Sequence, residues 1–300
     1  MSKAQVSKVK KSLVARYRIS DGRKFRLGDH DPDETHGLDQ DKALKRLAEG
    51  VSRLSGLQRN LYANGRWAVL AVFQAMDGGG KDGTISHVMS GVNPQGVSVT
   101  AFKQPGPVEL AHDFLWRVHL ALPQRGHIGI FNRSHYEEVL VTRLHPEVLD
   151  KQELPETLDQ TQPHDRFWKG RYRDIRSFER YIGRQGIVPL KFFLHISKEE
   201  QRKRLLARLD DTDKFWKFSA GDLKERALWD NYQSAYEEAI IETARPGAPW
   251  FVVPANNKWF ARVVVMEAMI DAIESLSLQP PKPDDKAVLA AARRQLEAEG

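Results

Sequence analysis

Residues 69–84, Val-Leu-Ala-Val-Phe-Gln-Ala-Met-Asp-Gly-Gly-Gly-Lys-Asp-Gly-Thr, constrain this chain more than any other stretch. A short apolar run stops at three glycines and a lysine, and a helical pattern follows. A β-strand feeding a glycine-rich turn at a helix N-terminus makes an anion cradle, because successive backbone N–H groups converge on one phosphate. Glycines let the backbone approach closely, and Lys81 adds a mobile positive charge. The expected chemistry is that of a P-loop, and it points to phosphoryl transfer. The rival reading is a glycine-rich strand–helix turn with a solvated lysine.

The fit to G-x-x-x-x-G-K-[ST] is incomplete. Ala75 stands for the first glycine and Asp82 for the metal-binding hydroxyl. Asp77 also stands inside the turn, where a carboxylate would repel phosphate unless a divalent cation lies between them.

Five apolar runs alternate with helical patterns: Trp67–Gln74, Val97–Phe102, Ile128–Phe131, Leu190–Ile196 and Trp250–Val253. Helices are expected over Gly37–Tyr62, Gly83–Ser90, Pro107–Leu122, Arg173–Arg184, Lys198–Leu209, Asp222–Thr243 and Trp259–Leu276. Strands apolar on both faces and separated by helices predict a parallel five-stranded sheet covered on both sides. Ligands of such sheets sit at the carboxyl ends of the strands, where the glycine turn lies. Residues 1–36 read as an extended arm and 37–278 as one catalytic domain. His145–Gly170 reads as a surface excursion, and 279–300 as a tail with a short helix near Val288–Glu297.

The 300 residues contain no cysteine, which excludes disulfides and thiolate zinc sites. No apolar run approaches the roughly 20 residues that cross a bilayer, so a cytoplasmic protein is expected. The net charge of +6 is uneven. Between Asp165 and Arg208 stand 13 Lys/Arg against 5 Asp/Glu, a surplus of eight that exceeds the whole chain's. Either a polyanion binds there or acids elsewhere in space balance a solvated face.

Two further clusters bear on chemistry. Phe131-Asn-Arg-Ser-His-Tyr-Glu137 closes the third apolar run, where Arg133 could neutralise a transferring phosphoryl group and Glu137 could reach a metal. Packing or capping is the expected role of His135 and Tyr136. Arg204 and Arg208 share one helix face ahead of Asp210-Asp-Thr-Asp-Lys-Phe-Trp-Lys-Phe218. A helical lid over about 202–226 would exclude water from the transfer.

These blocks together resemble the family-2 polyphosphate kinases. The likeness spans roughly Leu54–Leu276 and rests on Gln74–Thr84, Gly91-Val-Asn-Pro-Gln-Gly96, Ala111-His-Asp-Phe-Leu-Trp-Arg117, Phe131–Glu137, Phe193-Leu-His-Ile-Ser197, Trp216-Lys-Phe-Ser219 and Trp229. The resemblance implies a three-layer α/β/α P-loop kinase fold. It also implies phosphoryl exchange between inorganic polyphosphate and nucleotides, magnesium or manganese as cofactor, and a homo-dimer or homo-tetramer. It places catalysis on Asp77, Lys81 and Arg133, and metal on Asp77 and Glu137. Substrate contacts fall on Gly78, Gly79, Gly80, Asp82, Gly83, Thr84, Asn132, Arg143, Arg204, Arg208, Lys214 and Lys217. Asn132 stands where many relatives carry aspartate, and an amide supplies no negative charge for a metal. The Asn-Arg-Ser-His-Tyr-Glu form is similar to the subgroup that phosphorylates both nucleoside mono- and diphosphates, here AMP and ADP, with guanine nucleotides as further candidates. Nucleic acid and membrane are not expected partners. Two rivals stand beside this reading: an ATP-dependent kinase of thymidylate-kinase type, and a P-loop protein whose basic region grips nucleic acid.

Overall fold

Strand β2 (Ala68–Gln74) is buried at every position, which requires cover on both faces and neighbours on both edges. In the computed structural model, which describes residues 13–155, 165–212, 219–279 and 285–299, it has both. β4 (Ile128–Asn132) pairs parallel along one edge and β5 (Ile187–His195) along the other. β3 (Val97–Ala101) extends the sheet beyond β4, and β6 (Trp250–Pro254) beyond β5, again parallel. Phe73, Phe192 and Phe251 stack across neighbouring strands with ring centroids 5.0 and 5.2 Å apart. Such cross-strand aromatic pairs hold the register.

The five expected strands are all present, and a sixth joins them. β1 (Arg18–Ile19) lies antiparallel on β6, giving the order β1-β6-β5-β2-β4-β3. It comes from the segment expected as an extended arm. Val14, Tyr17, Phe25 and Leu27 of that segment are buried. Its few apolar residues follow no period, so nothing in the pattern announced that they dock.

The longer helices are α1 (Gln40–Asn64), α2 (Lys81–Val88), α3 (Asp165–Arg184), α4 (Lys198–Leu209), α5 (Ala220–Ala227), α6 (Trp229–Thr243), α7 (Lys258–Ser275) and α8 (Lys286–Glu297), the last exposed along its whole length. From β2 to β3 the chain moves one way across the sheet, and from β4 to β5 the other way. Right-handed crossovers therefore set α2 and α3 on opposite faces. α1 and α7 lie with α2, whereas α3 packs on β5 with α6 beside it.

Helix bounds differ from expectation at three places. The expected Pro107–Leu122 helix is two short pieces, Pro107–Leu110 and Trp116–Leu120, because the Asp113 carboxylate accepts the Leu115 N–H at 2.9 Å between them. The expected Asp222–Thr243 helix is divided at Leu228 into α5 and α6. α3 starts at Asp165, inside the expected excursion, since Trp168, Tyr172, Ile175, Phe178 and Ile182 form one buried stripe.

Candidate active site

The chain leaves β2 through Gly78 and Gly80, both left-handed at φ 81° and 88°, and enters α2 at Lys81. Gly79 is required for another reason: a Cβ there would stand 2.4 Å from the Ala75 Cβ and 2.8 Å from the Met76 carbonyl oxygen. The N-terminal amides of α2 therefore face open space, with the positive end of the helix dipole behind them. Lys81 is almost buried and donates to the Ala75 carbonyl at 3.0 Å. Burial, and then the nearby Arg133 charge, pulls its ammonium down from the ordinary value to about 8.

Arg133 follows β4 with φ 64°, a left-handed conformation that costs a non-glycine residue about 1 kcal/mol or more. Its N–H is held by the Phe73 carbonyl at 3.0 Å, so the twist is anchored to β2. The twist aims the guanidinium across the cleft, to Asp77 at 2.9 Å and Glu137 at 3.2 Å. The Glu137 carboxylate is the main reason this guanidinium is held charged even more firmly than usual. Beside it Asn132 donates to Asp82 at 2.7 Å. Gln74 at the end of β2 donates to the Ser134 hydroxyl at 3.1 Å, locking the two strand ends together.

Helix α4 braces the turn from the far side. Gln201 donates to the Asp77 carbonyl at 2.8 Å. Arg204 donates to the carbonyls of Gly78 at 3.0 Å, Ala255 at 2.5 Å and Asn256 at 2.9 Å, and to the Glu200 carboxylate at 2.7 Å. Expected as a phosphate ligand, Arg204 thus spends its donors on backbone that shapes the turn. Arg208 reaches Asp222 of α5 at 3.3 Å.

Two cavities meet at Arg133. The first, about 670 Å³, holds Asp77, Gly78, Gly79, Gly80, Lys81, Asp82, Gly83, Thr84, Asn132, Arg133, Arg204 and Arg208 in its walls. The second, about 520 Å³, includes Glu137. Phe102, Lys103 and Arg133 line both. Arg143, expected along the polyanion path, is not brought to either. It pairs with Glu238 at 2.8 Å, lies over the Trp168 ring and lines a separate hollow. Lys214 and Lys217, and with them part of the expected lid, fall outside the described residues.

The Polyphosphate kinase 2 family model matches residues 37–281. The chain belongs to the polyphosphate kinase 2 family. It is 46% identical over 292 residues to an ADP-polyphosphate phosphotransferase of Rhodopseudomonas palustris, covering 95% of this chain and 99% of that one. It is 48% identical over 273 residues to an AMP/ADP-polyphosphate phosphotransferase of Meiothermus ruber, covering 90% and 97%. The crystal structure of polyphosphate kinase 2 from Arthrobacter aurescens superposes with a TM-score of 0.86 at 41% identity, covering 97% of this chain and 98% of that one. This kinase accordingly works with polyphosphate and nucleotides, and membership decides against the ATP-dependent rival.

Kinases of this kind generally need a divalent cation. Among the described residues no cluster of three or more His, Asp or Glu side chains forms a closed metal cage. Magnesium asks for less: one or two carboxylates, with phosphates and waters completing its octahedron. Asp77 in the first cavity and Glu137 in the second are the carboxylates at hand, and each already holds Arg133.

Several wall residues were not foreseen. Lys203, Lys258 and Arg262 complete the basic lining of the first cavity, and Lys103 stands where the two cavities meet. Lys258 and Arg262 sit just beyond the carboxyl end of β6, where the strand-end rule could have found them. The basic surplus over 165–208 does not collect at the turn. Arg171 is tied to Glu138 at 3.1 Å, Lys191 is buried against Glu179 at 2.8 Å, and only Lys203, Arg204 and Arg208 of the thirteen line the first cavity.

Proposed function

We propose that this kinase transfers the terminal phosphoryl group of polyphosphate to AMP and to ADP, reversibly, giving ADP and ATP. The observation that carries the reading is the pair of cavities sharing Arg133. The end of the polyphosphate chain occupies the first, on the glycine turn, and the acceptor nucleotide occupies the second.

The acceptor is a nucleotide phosphate, whose second pKa of about 6 leaves it ionised at neutral pH. No side chain is needed to deprotonate it. A phosphate oxygen of the nucleotide forms the new P–O bond while the terminal anhydride bond of the polymer breaks, shortening the polymer by one unit. Lys81 and the α2 amides hold the transferring group, and Arg133 stands between donor and acceptor to offset charge on its equatorial oxygens. Asp77 keeps Arg133 in place. Magnesium or manganese, held by Asp77 and Glu137 with the phosphates, would lower the charge repulsion between the two substrates.

A homo-dimer or homo-tetramer in the cytoplasm completes the proposal. It is compatible with the finding that no described helix is long and apolar enough to cross a membrane. The test is incubation with magnesium, polyphosphate and either AMP or ADP, with ATP withheld. ATP forms from ADP, and ADP followed by ATP forms from AMP. Parallel rates with GMP and GDP give the base preference. Absence of ATP from ADP would overturn the reading.

A further inference from the structure

We propose that the outer face of α3 is a second polyphosphate site, a track that holds the long body of the polymer while its end reacts elsewhere. The inference rests on the proposed donor. Lys169, Arg173, Arg176, Arg180 and Arg184 recur at intervals of four, three, four and four residues, so all five fall on one side of the helix. That side lies opposite the buried stripe of Trp168, Ile175, Phe178 and Ile182.

Within the array these cations have almost nothing to neutralise them. Lys169, Arg173, Arg180 and Arg184 are exposed, and none has a side-chain hydrogen bond or ion pair among the described residues. Arg176 alone is paired, with Glu242 at 2.9 Å. Like charges four residues apart on a helix destabilise it by a few tenths of a kcal/mol per pair. An array of this kind makes sense when a ligand supplies the missing charge.

Geometry favours an extended, uniformly charged polymer. From Lys169 to Arg184 the helix rises about 22 Å, with a cation about every 6 Å. The track begins at the catalytic end of the sheet: Arg171 is bonded to Glu138, the neighbour of Glu137. It ends at the opposite edge, where Arg176, Arg180 and Arg184 wall a cavity of about 760 Å³ that Arg18 and Arg245 also line. A second copy of this chain presenting the same face across a two-fold axis would set arginine against arginine. A polyanion meets no such repulsion. Holding the body of the substrate on the track raises the effective concentration of its end at the glycine turn, so affinity grows with chain length.

The test is the fourfold variant Lys169→Ala, Arg173→Ala, Arg180→Ala, Arg184→Ala, with steady-state kinetics on long-chain polyphosphate and on a short oligophosphate that cannot reach from turn to track. KM for the long chain should rise about tenfold, with kcat, KM for the short oligomer and KM for the nucleotide unchanged. Replacing the three arginines by lysine should restore most of the loss. Equal shifts for long and short donors, or no shift, would overturn the track. So would salt-sensitive RNA binding by the parent that the variant loses while its KM for long polyphosphate stays put. Failure of the parent protein on the short oligomer and on the long chain alike would instead condemn the proposed donor.

Discussion

Lys81 carries its charge into a place that resists charge. Its ammonium has a folded value of about 8 against an ordinary 10.5. Between those limits the unfolded chain binds more protons than the native one, so stability increases as pH rises from about 8 to 10.5. Below about 8 both states are protonated and the burial cost is present in full. Denaturation midpoints measured across this window should climb with pH, and Lys81→Met should flatten the climb. The same variant should lose turnover by about a hundredfold or more, because the charge is needed once phosphate arrives. In kcat/KM for polyphosphate the free enzyme should weaken above about pH 8, and Lys81→Arg should retain affinity there. Asn132 permits a second check. Its amide donates to Asp82 at 2.7 Å, and Asn132→Asp would set two carboxylates face to face. That variant should melt earlier than the parent without divalent cation, and magnesium should raise its Tm more than the parent's. That Asp77, Lys81 and Arg133 would meet in one cleft was legible in sequence, because each follows a strand end. The bracing contacts of Arg204 were not legible, because its partners are carbonyls 51, 52 and 126 positions away.

Strands were more legible than helices, because a buried parallel strand announces itself by an unbroken apolar run, whereas a helix break such as that at Asp113 depends on a local backbone contact. Lys191 is the exception that the apolar run concealed. It lies in the middle of β5, wholly buried, and donates to Glu179 at 2.8 Å, the Thr243 carbonyl at 2.9 Å and the Tyr136 hydroxyl at 3.1 Å. The Tyr136 hydroxyl in turn donates to Glu179 at 2.8 Å. This knot joins β5, α3 and the segment after β4 at one point. Burial pushes the Glu179 carboxyl up, but Lys191 and His135 outweigh it and leave the group below its ordinary value. Removing one member of such a pair strands the other as an uncompensated charge. Lys191→Met should therefore cost about 3–5 kcal/mol in chemical denaturation, and adding Glu179→Gln should recover part of that loss. An equal cost for the single and double variants would mean that packing, not charge, holds this corner together. The packing role expected of His135 and Tyr136 is visible here as well: both are buried in the same knot.

At the scale of the whole molecule, the segment before α1 was the least legible part, and it reaches the turn through a chain of contacts. Pro32 accepts the Asn256 N–H at 3.0 Å, and the Asn257 amide donates to Asp33 at 3.0 Å. Asn256 and its neighbour Ala255 offer their carbonyls to Arg204, which holds Gly78. The segment is clamped further back, where Glu237 accepts the Leu27 N–H at 2.7 Å and Gly22 lies against α6. A Cβ on Gly22 would stand 2.1 Å from the Ile241 carbonyl oxygen, a backbone atom that cannot swing aside. Gly22→Ala should consequently lift the segment off α6 and open residues 13–36 to proteolysis. Phe25→Ala removes a buried ring at a cost of about 3 kcal/mol, worth a drop in Tm of roughly 5 °C in a 300-residue protein. Neither residue touches the cleft. If the contacts act in series, loosening the segment should slacken Asn256 and Arg204, and KM for polyphosphate should rise roughly fivefold, a coupling of about 1 kcal/mol. The nucleotide KM, set in the second cavity, should not move. A variant that melts early yet keeps its polyphosphate KM would show that Arg204 holds the turn without help from the segment.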